Sequence, residues 1–422
     1  MKYSGIEWIG NVPDNWKLER LQWYLEEIRE QNDPIKTTQV LSLTNKLGVI
    51  PYETKGKQGN KAKENISEYK LAYPNTIVVN SMNVLIGSVG KCNYFGCVSP
   101  VYYVFKPNDK CSIDFINYLF QTTQFQKELR RYANGILEIR LRVSADDILK
   151  RMVAIPTHET QKHIVSLLDT KITELEELII NEKRQIEVLR EFQFLKIQEV
   201  IKKGINKKSF KKTNIDWIDK IPSDWELSKV KYVTFISRGL FNHRPRNDPK
   251  LYDGMYPFIQ TGDVARANKY ITTYSQTLNE LGASVSKQFP KGTLTMTIAA
   301  NVGDVSILNF NAFFPDSVVG FTPLNGNNSE YLYYLFRAMK NEFIRASIVS
   351  TQLNLNLERI KEMYIPFTPN LEEQKAIADY LNDKCSQIDA LIAVKEEKIK
   401  NIETYKKSLI YEYITGKKEV VS

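Results

Sequence analysis

The residue types best suited to recognition chemistry are concentrated in one short segment in the second half of the chain. Positions 237–248 read SRGLFNHRPRND, which places three arginines, two asparagines and a histidine around a glycine. Guanidinium and amide groups donate the hydrogen bonds that guanine edges and phosphates accept. The nucleic-acid contacts predicted here are Arg238, Asn242, Arg244 and Arg246. The alternative is a solvated loop whose arginines pair with neighbouring carboxylates such as Asp248 or Asp253.

A second candidate is the turn that begins at Thr261. A glycine separates Thr261 from Asp263, and the cations Arg266 and Lys269 follow within one or two turns of chain. A carboxylate at such a place either accepts a hydrogen bond from cytosine or caps the turn. We predict DNA contacts by all four residues, with capping by Asp263 as the alternative.

The first half offers a weaker set of the same donors. The predicted contacts there are Lys55, Lys57, Lys61, Asn80, Asn83, Lys91, Arg140 and Arg142. The lysine-rich run suits phosphate anchoring, the asparagines border a glycine-rich turn from which amides reach adenine edges, and the arginines share one side of a predicted strand. The alternatives are a charged surface loop, asparagines that fix strand ends, and arginines paired with Asp146 and Asp147.

Motifs for catalysis or cofactor binding are missing from the sequence. It contains no Gly-x-Gly, no phosphate-binding Gly-x-x-x-x-Gly-Lys and no Asn-Pro-Pro-aromatic methylation motif. Its three histidines are scattered, and its four cysteines fit neither zinc spacing nor a disulfide framework. We therefore expect no metal site, no cofactor in this chain and no catalytic activity of its own.

The composition is that of a folded, basic protein. Hydrophobic residues make up 42% of the 422 residues and charged residues 25%, and the net charge is +9. This length predicts about two to four domains, and the charge favours a polyanionic partner. The first residues lack the apolar core of a signal peptide, and no run of 18 apolar residues occurs, so we expect a soluble cytoplasmic protein without membrane contact.

The elements that must position these residues follow from an internal repeat. Residues 6–18 read IEWIGNVPDNWKL and residues 215–227 read IDWIDKIPSDWEL. An Ile-Pro pair, a Gln-Lys pair and a long helical pattern close each half, at residues 155–162 and 365–375. Two tryptophans at matched positions make chance a poor explanation, and we interpret the chain as a tandem repeat.

Between these matched ends, each half alternates β-branched and aromatic runs with Gly, Asn and Pro, and then shows short helical patterns. This predicts an α+β fold in which two mixed α/β domains are joined by long helices. The predicted bounds are residues 1–156 for the first domain, 157–204 for the first long helix, 205–366 for the second domain and 367–422 for the second long helix. The lysine-rich stretch at residues 202–212 is interpreted as a solvated linker.

Both long segments carry a heptad pattern with no proline or glycine inside it. The predicted pairing residues are Leu168, Ile172, Leu175, Ile179, Ile186 and Leu189 in the first helix, and Leu381, Ile388, Ile392, Ile399 and Ile402 in the second. Glu182 and Lys395 occupy the same heptad position, so a register-setting contact and two solvated charges are both open.

The chain order favours antiparallel helices. A helix of about 40 residues is roughly 60 Å long, so parallel helices would oblige the second domain to carry the chain back over that distance. Antiparallel packing avoids this return. We therefore expect the two domains at opposite ends of a helical rod, related by an approximate two-fold axis.

The repeated ends, together with patterns in the middles, resemble the specificity subunit of Type I restriction-modification systems. The matching features are the [IV]-P-x-x-W-x-L openers, the Ile-Pro closers and the Gln-Lys helix starts. The segments similar to the target-recognition pattern are 237–239, 256–263 and 351–357 in the second half and 80–83, 87–90 and 98–102 in the first.

The resemblance implies a non-catalytic DNA sequence-specificity subunit that reads a split double-stranded target with two different domains. It also implies that two methyltransferase subunits and restriction (motor-endonuclease) subunits bind the chain, with S-adenosylmethionine, ATP and Mg²⁺ on those partners. The alternative is a coiled-coil scaffold that assembles partners without touching DNA. A stand-alone DNA-modifying enzyme is disfavoured by the missing motifs.

Overall fold

The computed structural model describes residues 1–44, 47–55, 65–135, 141–299, 301–349 and 353–419. The chain forms two compact units. The first comprises Met1–Glu182 with Glu396–Ser422, and the second comprises Lys183–Lys395. No helix among the described residues combines the length and the apolar character needed to cross a bilayer.

The first unit is a mixed α/β structure. Its strands are β1 (Lys2–Tyr3), β2 (Asn11–Val12), β3 (Lys17–Arg20), β4 (Leu25–Ile28), β5 (Leu41–Thr44), β6 (Gly48–Pro51), β7 (Lys70–Ala72), β8 (Thr76–Asn80), β9 (Val89–Cys92), β10 (Gly96–Val98), β11 (Tyr102–Pro107) and β12 (Met152–Ile155). Its short helices are α1 (Ile113–Gln121), α2 (Thr123–Arg130) and α3 (Ala145–Leu149), and the long helix α4 (His158–Lys203) starts in this unit.

The core of the first unit lies on an antiparallel sheet with strand order β4-β11-β8-β9. All five residues of β8, TIVVN, are buried, which explains why its three central residues are all apolar and do not alternate with polar ones. Phe115 and Phe120 on α1 and Phe125 on α2 are fully buried in the same core. The two predicted features of this region, β-branched runs followed by a helical pattern, are therefore present.

The second unit repeats this plan with more strands. They are β13 (Phe210–Ile215), β14 (Ile218–Pro222), β15 (Glu226–Lys229), β16 (Thr234–Arg238), β17 (Tyr252–Phe258), β18 (Tyr270–Ile271), β19 (Gln276–Leu278), β20 (Gln288–Phe289), β21 (Leu294–Thr297), β22 (Val305–Leu308), β23 (Ala312–Phe313), β24 (Val318–Pro323), β25 (Ile348–Val349), β26 (Leu353–Asn354) and β27 (Tyr364–Phe367). The helices are α5 (Val230–Val233), α6 (Thr261–Arg266), α7 (Glu280–Ser284), α8 (Ser329–Ala338), α9 (Lys340–Ala346), α10 (Leu357–Glu362) and the long α11 (Leu371–Ile414). The main sheets have the orders β16-β24-β21-β22-β18 and β19-β17-β23-β20.

The repeated opener and closer motifs pair with each other inside each unit. In the first unit β3 lies antiparallel to β12, and Lys17 is opposite Ile155. In the second unit β15 lies antiparallel to β27, and Glu226 is opposite Phe367. The sequence repeat therefore marks a shared two-stranded frame at the base of each domain.

The stretch at residues 202–212 is not a plain solvated linker. Helix α4 ends at Lys203, and β13, which starts at Phe210, pairs with β14. Lys207 between them contacts the carboxylates of Asp224 and Glu373, the latter at 2.8 Å. Charge composition alone predicted solvation, but Lys207 has acidic partners supplied by other elements and part of the stretch belongs to a paired strand.

The two long helices pack against each other in opposite directions, as predicted. In the first unit Leu168, near the start of α4, shares a hydrophobic core with Leu409, near the end of α11. In the second unit Ile197, near the end of α4, shares a core with Leu381, near the start of α11. The mixed α/β fold with a packed pair of long antiparallel helices is thus confirmed.

The residues predicted to form the helix seam are removed from solvent to different degrees. Those that are buried are Leu168, Ile172, Ile179, Glu182, Ile186, Leu381, Ile388 and Ile392. Those that are half-buried are Leu175, Leu189, Lys395, Ile399 and Ile402. Lys395 donates a hydrogen bond to Gln185, while Glu182 accepts one from Lys398 at 2.6 Å.

Candidate nucleic-acid interface

The arginine-rich segment of the second unit is exposed and is held by one aspartate. Arg246 Nη2 donates to Asp316 Oδ2 at 2.6 Å, and Arg238 Nε donates to the backbone oxygen of Asp316 at 2.6 Å. Arg244 Nη1 donates to the backbone oxygens of Phe241 and His243 at 3.0 and 2.8 Å. A guanidinium group has several N–H donors, so each arginine keeps donors that face solvent.

Asp248 supports the same segment from within. Its Oδ1 accepts from the backbone N–H of Lys250 at 3.1 Å, and its Oδ2 lies 3.3 Å from Nε2 of His243. The backbone hydrogen bond, followed by the contact with His243, lowers the pKa of the Asp248 carboxyl below its ordinary value. Arg246 is paired with Asp316 and not with the neighbouring carboxylates of Asp248 or Asp253. Both Asn242 and Arg246 remain exposed.

Sequence reasoning missed the residues that complete this cluster. Lys287 donates to Ser237 Oγ at 2.5 Å, and Asp316 lies between the arginines. Both residues are distant from the segment along the chain, and nothing in their local sequence signals the contact. They are brought there by β20 and by the turn that precedes β24.

The turn at Thr261 becomes the short helix α6, and its carboxylate is engaged in the fold. Asp263 is 4% exposed and its Oδ2 accepts from the backbone N–H of Gln260 at 2.8 Å. Its other oxygen accepts from Arg266, whose side chain is 68% exposed. Thr261 is half-buried. The capping alternative therefore describes Asp263, and Arg266 is the group that this turn offers to solvent.

Lys269 is engaged as well. Its Nζ donates to Asn382 Oδ1 at 2.8 Å and lies 3.0 Å from Glu330 Oε1. Tyr270 also donates to Glu330. Lys269 is 21% exposed by its side chain, so most of it is covered by protein.

In the first unit the Asn80–Asn83 turn is joined to the Arg142 segment. Asn80 is buried, and its Oδ1 accepts from the backbone N–H of Met82 at 3.0 Å. The backbone N–H of Val143 donates to the oxygen of Ser81 at 3.2 Å, which places the neighbouring Arg142 beside the turn. Asn83 and Arg142 are both exposed there.

The other first-unit candidates are placed differently. Lys91 Nζ donates to both carboxylate oxygens of Asp114, at 3.0 and 3.1 Å. Lys55 is half-buried at the end of a 3₁₀ turn, with Nζ 5.2 Å from the ring centre of Tyr52. Lys57, Lys61 and Arg140 lie outside the described residues.

The carboxylates named as alternative partners of Arg142 are engaged elsewhere. Asp147 Oδ2 accepts from the hydroxyl of Ser144 at 2.6 Å, and Asp146 lies 3.7 Å from Arg29. Arg142 is exposed, and the backbone next to it is hydrogen-bonded to the turn that carries Asn83. Each unit therefore presents exposed amide and guanidinium donors, Asn83 and Arg142 in the first and Asn242 with the exposed arginines in the second.

Two mixed α/β lobes built on a shared frame, each carrying its own set of exposed donors, define a duplicated nucleic-acid-reading protein. The family model described as the Type I restriction modification DNA specificity domain matches residues 26–187 and 222–404. The chain belongs to this family of Type I restriction-modification specificity subunits.

Two curated relatives, both specificity subunits, are similar to this chain. A Methanocaldococcus jannaschii protein assigned as the type I restriction enzyme MjaX specificity subunit is 26% identical, over 97% of this chain and 95% of its own. The MjaIX specificity subunit of the same organism is 32% identical, over 46% of each chain. These relatives support a DNA sequence-specificity role with two recognition domains, and they do not support a DNA-free scaffold.

Solved structures show the same fold. One, from work on complex assembly and conformational transition of the type I R-M system, has a TM-score of 0.72 at 14% identity and covers 96% of this chain and 98% of that chain. The HsdS subunit from Thermoanaerobacter tengcongensis has a TM-score of 0.52 at 14% identity with the same coverage.

Proposed function

We propose that this chain reads a split double-stranded DNA target, one half-site with each recognition domain, and directs methyltransferase and restriction subunits to it without catalysing a reaction itself. The observation that supports this proposal is that the two units share a strand pairing but differ in their exposed residues. The frames β3–β12 and β15–β27 match in both units, whereas the exposed donors of the two units differ in type and number. A repeated frame that carries different exposed donors suits two different half-sites.

The groups proposed to meet DNA in the second domain are the exposed donors of the cluster around Asp316 and of α6. They are Arg238, Asn242, Arg244, Arg246 and Arg266. Arginine donates two parallel hydrogen bonds to guanine or to a phosphate, so this set provides both sequence readout and anchoring. In the first domain, Asn83 and Arg142 play the corresponding roles, with amide donors suited to adenine edges.

Matched apolar side chains on the long helices support two partner sites. Leu178 on α4 and Leu391 on α11 occupy the same place in the repeat and are 46% and 53% exposed. Phe192 and Tyr405 form a second such pair, 55% and 51% exposed. Apolar side chains repeated on the outside of both helices suit two copies of one partner, which we assign as two methyltransferase subunits.

The partners are proposed to bring the reactive chemistry. S-adenosylmethionine would bind the methyltransferase subunits, and ATP and Mg²⁺ the restriction subunits. The sequence of this chain lacks the glycine-rich loops with which proteins hold nucleotides. What the chain contributes is the choice of site.

The test is an exchange of one recognition domain. The full chain is produced with its methyltransferase subunits, and the methylated motif is read from the DNA of the host cell. Exchange of residues 20–150 for those of a relative should change one half of a split motif and leave the other half intact. An unchanged motif would contradict the domain assignment, and methyl transfer by the isolated chain would contradict the non-catalytic role.

A further inference from the structure

Asn382, on the long helix α11, forms hydrogen bonds within the second unit through both the oxygen and the nitrogen of its side-chain amide. Its Oδ1 accepts from Lys269 Nζ and from the hydroxyl of Tyr334, each at 2.8 Å. Its Nδ2 donates to Glu330. Because an amide oxygen accepts two hydrogen bonds, Oδ1 is saturated and the orientation of the amide is determined by these partners.

Glu330 ties the same network to the segment that follows α6. It accepts from the hydroxyl of Tyr270 and lies 3.0 Å from Lys269. Burial by itself raises the pKa of Glu330, but hydrogen bonds from Tyr270, Asn382 and Lys269 outweigh it and lower that pKa. The carboxylate is therefore ionised at neutral pH and balances the charge of Lys269.

Lys269 and Tyr270 lie at the end of the segment that begins with α6 and carries the exposed Arg266. Helix α6 ends at Arg266, and the backbone oxygen of Lys269 accepts from the N–H of Ile307 at 2.8 Å. Lys269 thus joins α6 to β22 through its backbone and to α11 through its side chain. Its ammonium, with two protein acceptors, retains little capacity for a phosphate.

A matching hydrogen bond occurs in the first unit. The hydroxyl of Tyr118 on α1 donates to Asp169 Oδ1 on α4 at 2.5 Å, as Tyr334 on α8 donates to Asn382 on α11. Each tyrosine lies one turn after an acidic residue, Asp114 or Glu330, in the first turn of its short helix. Since the middles of the two halves diverge in sequence, a contact kept in both serves the attachment of domain to helix.

The two units differ in which group the lysine near this contact binds. In the first unit Lys91, on β9, reaches Asp114 with both carboxylate oxygens within 3.1 Å. In the second unit the lysine comes from the segment after α6 and donates to the long helix directly. The position of Arg266 is therefore coupled to α11 by side-chain hydrogen bonds.

We propose that Asn382 is a positioning residue for sequence selection by the second recognition domain, and that Lys269 acts with it by holding the recognition segment on α11. This inference rests on the proposed function, because it concerns how one half-site is selected. It assigns Lys269 to the protein framework and leaves Arg266 as the DNA-facing residue of that segment.

The test uses the full chain assembled with its methyltransferase subunits and carrying Lys269→Gln, Asn382→Ala or both. Methylation rates are measured on duplexes with the intact target and with single base changes in either half-site, and DNA affinity is measured against salt concentration. Each single variant should lower discrimination at the second half-site by about fivefold, and the double variant by about the same factor, because both remove one shared interaction. The first half-site and the salt slope should not change.

A phosphate contact would give a different result. Lys269→Gln would then reduce the slope of log affinity against log salt by about one, and Asn382→Ala would leave it unchanged. That outcome, or full discrimination in the Asn382→Ala complex, overturns the inference. If the unaltered complex selects no split target, it is the proposed function that fails.

Two conservative variants separate positioning from misfolding. Tyr334→Phe removes one donor to Asn382 and keeps the buried ring, so it carries the same test if Asn382→Ala does not assemble. Tyr118→Phe is its matched control in the first unit, and its effect should be confined to the first half-site. Loss of both half-sites in either tyrosine variant would contradict the assignment.

Discussion

Glu182 on α4 accepts a hydrogen bond from Lys398 on α11, with 2.6 Å between Oε1 and Nζ. The Glu182 side chain is 6% exposed and that of Lys398 is 56% exposed. The contact therefore links a buried carboxylate in the helix seam to an ammonium group at its edge. In the second unit Lys395 of α11 donates a hydrogen bond to Gln185 of α4, so each unit has a polar contact between the two long helices.

Removal of the cation should cost more than removal of the pair. Lys398→Met leaves Glu182 buried with a weaker set of partners, which should lower the free energy of unfolding by about 1 kcal/mol. Adding Glu182→Leu should recover this loss, because an apolar side chain fills the seam without a desolvated charge. Urea denaturation of the natural chain, Lys398→Met and the double variant measures both effects, and a double variant less stable than Lys398→Met would contradict the expectation.

The glutamine at the start of each long helix should matter more than the lysine after it. Gln161 Oε1 accepts from the N–H of Ser112 at 2.7 Å, and Gln374 Oε1 accepts from the N–H of Asn328 at 2.9 Å. Both glutamines are fully buried. Substitution of either by alanine should cost about 1–3 kcal/mol, since a buried N–H loses its acceptor.

The neighbouring lysines supply the control for this prediction. Lys162 and Lys375 are exposed members of the same Gln-Lys pairs. Their alanine variants should stay within about 0.5 kcal/mol of the natural chain. Thermal unfolding of the four single variants gives the comparison, and equal losses for glutamine and lysine would show that the buried hydrogen bond is unimportant.

Gly416, after the end of α11, should not tolerate a side chain. Its φ is +70°, and a Cβ there would lie 2.5 Å from Cδ of Pro13 and 3.1 Å from Cε2 of Trp16. Gly416→Ala should therefore cost more than the ~1 kcal/mol of a left-handed backbone alone. Gly292→Ala is the matched control, because its φ is +86° and nothing lies within 4 Å of the added Cβ. Similar melting temperatures for the two variants would contradict a steric clash with Pro13 and Trp16.

Arg246→Ala should weaken binding to the cognate target by about 5- to 150-fold, equivalent to about 1–3 kcal/mol, if the guanidinium reads a base. The control is Arg345→Ala, which removes the same charge from a 70% exposed side chain paired with Glu342 in the same unit. Mobility shifts of the assembled complex at fixed salt measure both. An equal loss of affinity in the control would show that Arg246 contributes only through its positive charge.

Glu362 should make stability depend on pH. Hydrogen bonds from Lys229 at 2.6 Å and Lys231 at 2.5 Å hold the pKa of the Glu362 carboxyl at about 2, below its ordinary 4.5. A depressed carboxyl pKa stabilises the fold above the unfolded value, and this contribution disappears as the pH falls through the folded value. The melting temperature of the natural chain should therefore exceed that of Glu362→Gln at pH 7 in low salt. The difference should shrink below about pH 4.5 and vanish near pH 2, and a constant difference would contradict the assignment.

Much of the fold was predictable because its signals are local or repeated. The opener and closer segments that contain Trp16 and Ile365 recur at matched spacing, and heptads such as Ile172–Ile179–Ile186 require a partner for an apolar stripe. The candidate site was less predictable. The sequence allows Asp263 to be either a base acceptor or a cap, and its burial and its hydrogen bond from the backbone of Gln260 show that it caps α6. Lys269 read as a free cation because its partner Asn382 is 113 residues away.

The sequence by itself determined that the chain is a tandem repeat of two mixed α/β halves with long amphipathic helices, because helix period, strand composition and turn residues act over a few positions. Only the tertiary structure decided which polar groups remain exposed to solvent. Arg246 finds Asp316 70 residues away and Lys269 finds Asn382 on the long helix, and such pairings arise when packing brings distant elements together. Some of these charged side chains are therefore buried and bonded within the protein, whereas others, such as Arg266, face solvent.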